Sequence, residues 1–71
     1  MKGAFMNELE KLKHLLRHWM EHNVEHAGTY KEWAEKAASL GNPELAAVLE
    51  QIHRDTLKMN GLFQDAIKAI K

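Results

Sequence analysis

The feature that most constrains this chain is a pair of apolar repeats separated by a single short breaker. In the first run Phe5, Leu9, Leu12, Leu16, Trp19, Asn23, His26, Tyr30, Trp33, Ala37 and Leu40 follow one another in alternating steps of four and three. The second run, Leu45, Leu49, Ile52, Thr56, Met59, Phe63, Ala66 and Ile70, repeats the device. Such spacing keeps side chains on one stripe of a helix and predicts a seam for packing against another helix. Between the runs stands LGNPEL, where Gly41 suits a helix C-terminus, Asn42 an N-cap and Pro43 a first helical position. The expected fold is therefore all-α: an antiparallel hairpin in one domain over residues 1–71, with helices over about 5–40 and 43–70 and a turn at 41–42.

Local signals refine this outline. Asn7 is a candidate cap, with Glu8 and Glu10 in the first turn, where carboxylates complement the helix dipole. Thr29 and Glu32 form a capping-box pattern after Gly28, so a break there, giving a three-helix bundle, is the alternative architecture. One interior glycine costs only about 1 kcal/mol relative to alanine, and the repeat keeps its phase through it, which favours one long helix.

A chain of 71 residues buries only roughly 60% of its unfolded surface when it folds alone. Leu15 and Val24 on the first helix and Leu57 and Leu62 on the second lie off the seam and would stay wet in a lone hairpin. A homodimer that closes a four-helix bundle is the expected remedy. Ten basic residues balance ten acidic ones, which leaves no net field to draw nucleic acid or an anionic membrane. No apolar run approaches the ~20 residues of a membrane span, and the first residues lack a signal-peptide pattern, so a cytoplasmic protein is expected. With no cysteine, any metal must be held by nitrogen and oxygen.

The chemistry concentrates in HLLRHWMEHNVEH. His14, His18, His22 and His26 recur every fourth residue, and side chains four apart on a helix are neighbours that can share one ion. Each step of four turns the ladder by ~40°, so the four cannot all face one way. The seam draws His26 inward and leaves His14 nearly on the solvent side. Folding the hairpin sets residues whose numbers sum to about 83 opposite each other, so that His26 faces Leu57, Tyr30 faces His53, and His22, Asn23, His26, His53, Thr56 and Asn60 gather at one level, with Asn23, Tyr30, Thr56 and Asn60 as the supporting polar layer. The expected metal set is His22, His26 and His53, with His18 and Glu25 as further candidates. Three imidazoles suit nickel, cobalt, zinc or copper, for storage, sensing or delivery, with a metal-handling protein as a conceivable partner. The competing reading is an interaction domain whose histidines hold no metal.

Catalytic patterns are sparse. HWMEH and HNVEH both fit H-x-x-E-H, with Glu21 or Glu25 in the general-base place, but a peptidase needs a downstream carboxylate ligand and a cleft. Nothing pairs a nucleophile with a base, and no glycine-rich loop opens a helix. An enzyme is expected only through a metal with an open coordination position.

Two resemblances sit on this framework. YKEWAEKAASLGNPELAAVLEQI resembles the helical hairpin of ferritin-like and rubrerythrin-like proteins, which implies the hairpin. Glu50 and His53 spell E-x-x-H, but the di-iron pair of that family would fall near Thr56 and Met59, which cannot supply it. The run HWMEHNVEHAGTYKEWAEKA resembles a small uncharacterised helical domain of bacteria and archaea with the pattern H-W-x-x-H-N-x-E-H-A followed by W-A. It is carried by His18, His22, Asn23, Glu25, His26 and Trp33. Such domains sometimes occur beside nickel-handling modules, so the resemblance tilts the expected metal toward nickel or cobalt.

Overall fold

The computed structural model describes the backbone of residues 2–70 and the side chains of residues 8–70. Two helices account for nearly all of it: α1, Lys2–Ser39, and α2, Pro43–Ala69. α1 begins ahead of Asn7, so Asn7 stands inside the helix and not at its cap, and the first turn holds no acidic residue. The side chains of Phe5 and Asn7 lie outside the described residues. α1 also runs unbroken through Gly28. Thr29 is no cap: its Oγ1 donates to the Glu25 carbonyl at 3.2 Å, one turn back along the same helix. The hairpin replaces the three-helix alternative. Among the described residues no helix is long and apolar enough to cross a membrane.

The turn follows from its four residues. The Asn42 and Gly41 amides donate back to the Ala37 and Ala38 carbonyls, both at 3.0 Å, closing a Schellman end on α1. This requires φ = +84° at Gly41, a left-handed conformation that costs glycine nothing. Asn42 then caps α2, its Oδ1 accepting from the Leu45 amide at 3.2 Å. Pro43, with no N–H to lose, takes the first helical position.

The seam between the helices differs from the expected stripe in one respect. Among the described residues of α1 the half-buried or buried ones are Lys13, Leu16, Met20, Asn23, Ala27, Tyr30, Ala34 and Ala37. On α2 they include Ala46, Leu49, His53, Thr56, Asn60, Phe63 and Ile67. Half of each stripe is as expected. The other half is displaced by one residue: Met20, Ala27 and Ala34 replace Trp19, His26 and Trp33, while Ala46, His53 and Asn60 replace Leu45, Ile52 and Met59. One residue is 100° of helix rotation. The cause is size. Ala27 and Ala34, each 1% exposed, and Ala37, 5% exposed, are the buried residues among those described. Small side chains let two helix backbones approach closely, where the displaced tryptophans would hold them apart.

Candidate functional site

Polar side chains occupy the middle of the seam. The Asn23 side-chain amide donates to the Thr56 carbonyl at 2.6 Å and to Asn60 Oδ1 at 2.7 Å. His53 Nδ1 lies 2.7 Å from the Ala27 carbonyl. A carbonyl only accepts, so Nδ1 carries the proton there and Nε2 is the ring's remaining nitrogen. His53 thus meets Ala27, one turn before the Tyr30 expected from the register. Of the expected polar layer, Asn23, Thr56, Asn60 and His53 join across the seam, and Tyr30 is half-buried at its edge.

The histidine ladder lies elsewhere. His14, His18, His22 and His26 are all exposed, as is Glu25. His26 is not inward, because the seam takes Ala27 in its place, 100° round the helix. His22 and His26 are consequently not joined with His53. Among the described residues no group of three or more histidines, aspartates or glutamates is placed to hold a metal ion. The ladder does stay together within itself. Ring centroids are 4.4 Å apart for His18 and His22, and 6.3 Å apart for His22 and His26. His26 in turn stacks on Tyr30 at 6.3 Å. Glu50, the acidic member of E-x-x-H, is paired along its own helix with Arg54 at 3.7 Å.

The displaced seam has a consequence for the surface. Leu12, Trp19, His26, Trp33 and Leu40 recur every seventh residue about 80° to one side of the seam, with Leu15 and His22 further round the same way. On α2 the equivalent positions are Leu45, Ile52 and Met59, with Val48 and Leu62 beyond. A two-fold normal to the hairpin plane relates antiparallel helices and keeps equivalent positions on one side, so both sets share one face. A depression lined by Trp33, Ala37, Leu40, Leu45 and Leu49 bridges the two helices on that side. Among the described residues ten of the thirteen exposed large apolar side chains belong to this face; Val24 and Leu57 fall on the opposite one, which also carries Arg17, Glu21, Lys31, Glu35 and Arg54. Lys36 covers one tryptophan, its Nζ 4.8 Å from the Trp33 ring centroid. His22 and His26 stand in the middle of this face, whose other polar members are Thr29 and Lys36 in the Leu15 row of α1 and Asp55 in the Val48 row of α2.

Sequence reasoning missed Ala27 and Ala34 as the most buried residues of the seam. Their signal was small residues seven apart, beside the larger residues that formed the expected stripe.

These features define a class: a two-helix antiparallel hairpin with a small-residue seam, a central polar layer and one histidine-bearing apolar face. The chain belongs to the family described as "Domain of unknown function (DUF8180)", which it matches over residues 12–70. It is 36% identical over 62 residues to an uncharacterized protein of Archaeoglobus fulgidus, covering 87% of this chain and 98% of that one. No solved structure matches it.

Proposed function

We propose that this chain is a homodimerising module in which two hairpins pair through their apolar faces into a four-helix bundle. The observation that carries this reading is the concentration of exposed large apolar side chains on one face. Surface area supports it. The chain exposes 5568 Å², whereas a self-sufficient globule of its mass exposes about 4,500 Å². The surplus, on the order of 1,000 Å², is what one partner of a stable interface covers. Its radius of gyration, 17.0 Å, likewise exceeds the roughly 11 Å of a compact domain of this length. A hairpin whose buried residues, among those described, are three alanines has little core of its own, and a second copy supplies one.

Sedimentation equilibrium at tens of micromolar tests the pairing. The wild type is expected as a dimer and Trp33→Glu as a monomer of unchanged helicity, since Trp33 is 54% exposed and outside the seam. A monomeric wild type would sink the proposal.

The ladder supports a second reading, in which the module binds a transition metal, nickel, cobalt, zinc or copper, for storage, sensing or delivery to a metal-handling partner. The observation behind it is the mutual proximity of His18, His22 and His26. Added metal ions are expected to raise the melting temperature of the wild type, because a ligand that binds only the folded state stabilises it.

A further inference from the structure

His22 and His26 lie in the middle of the apolar face. Trp19 stands one heptad before His26 and Trp33 one heptad after it, so the pair is bracketed by the two largest side chains of the face. Neutral or charged, imidazoles pressed between two apolar surfaces need partners. Within one chain the aromatic rings beside His26 are those of Tyr30 and His22.

The spacing is that of a metal clamp. Two imidazoles on one tetrahedral ion, with bonds of about 2.1 Å, have ring centroids on the order of 5 Å apart. The His22 and His26 centroids stand 6.3 Å apart, about 1 Å beyond that value, so a modest side-chain rotation brings two nitrogens onto one ion. A single helix then offers two ligands, and among the described residues no third side chain completes a group. A closed tetrahedral site needs four.

We propose that His22 and His26 of one chain and the same pair of a second copy close around one tetrahedral divalent ion, zinc or cobalt, at the dimer interface. The proposal rests on the pairing proposed above. The symmetry of two copies supplies four nitrogens from two residue positions. The all-nitrogen donor set excludes the hard ions calcium and magnesium, which take oxygen. His14 lies round toward the polar side and takes no part. His18, opposite the seam, lies outside the site, and His53 has Nδ1 committed to Ala27 across the seam.

The test uses the full chain at pH 7.5, with ZnCl₂ or EDTA, in sedimentation equilibrium and isothermal titration, and with CoCl₂ in visible absorption. The expected result is one zinc per two chains and the intense visible bands of tetrahedral cobalt. Because the ion binds only the pair, dimerisation should tighten on the order of a hundredfold when free zinc is a hundred times its Kd. His22→Ala and His26→Ala should each abolish these effects, and His14→Ala should keep them. All three positions are exposed, and far-UV circular dichroism with the variants His22→Gln and His26→Gln checks that loss of metal is not loss of fold. A chain that dimerises in EDTA but binds no zinc, or binds one per chain, overturns the metal site and leaves the pairing intact. A chain that is monomeric with and without zinc overturns both. Equal loss in His14→Ala and His26→Ala also overturns the site.

Discussion

Ala27 and Asn23 show how much of this hairpin depends on single side chains. At 1% exposure Ala27 has no room to grow, and Ala27→Leu is expected to cost about 1–3 kcal/mol through overpacking. Val24→Leu, three residues away on the exposed polar side, should be nearly neutral. Urea denaturation separates the two, and equal stability would mean that the close approach at Ala27 is not there. Asn23 donates both its amide hydrogens across the seam, so Asn23→Ala should cost about 1–2 kcal/mol, leaving Asn60 Oδ1 without its donor. Adding Asn60→Ala should then cost less than it does alone, because the acceptor it removes is already unpaired. Strict additivity in that double-mutant cycle would contradict the bond.

The helices themselves differ in what their glycines do. Gly28 sits inside α1 with a negative φ and nothing within 4 Å of where a Cβ would stand. Gly28→Ala is therefore expected to stabilise by about 0.5–1 kcal/mol. Gly41, at φ = +84°, is the opposite case, and Gly41→Ala should destabilise by about 1 kcal/mol. A thermal melt in which Gly28→Ala lowers the midpoint would argue for a break that α1 does not have. The turn was legible in the sequence because Gly41, Asn42 and Pro43 act through local backbone chemistry. The existence of two helices was legible for the same reason, since a repeat of four and three is a property of one helix. Which half of the stripe faces the partner was not. Leu16, Asn23, Tyr30 and Ala37 belong equally to a stripe that runs through Trp19 and one that runs through Met20. The choice between them is made by the fit of two surfaces at Ala27 and Ala34, which neither helix carries alone. The same one-residue displacement took His26 out of the seam and apart from His53, while the ladder itself, fixed by spacing on one helix, stayed legible.

At the scale of the whole molecule the dimension to measure is thickness. The hairpin is a slab with extents of 60 × 14 × 10 Å, and pairing through the apolar face doubles the mass while adding mainly to the shortest dimension. Small-angle scattering should therefore give a radius of gyration close to 17.0 Å at twice the monomer mass. A strongly enlarged radius at that mass would mean end-to-end association and would rule out the bundle. The helices are also of unequal length, 38 residues against 27. Joined by a tight turn at one end, they leave α1 projecting about 16 Å past α2 at the other. That projection gives the rod a head and a tail. Two rods laid side by side in the same sense form a particle forked at one end and blunt at the other, whereas two laid in opposite senses form one that tapers at both. The unequal helices thus turn the symmetry of the pair into an outline, so that a distance between spin labels near the two copies' Glu8, short in the first case and long in the second, reads it directly.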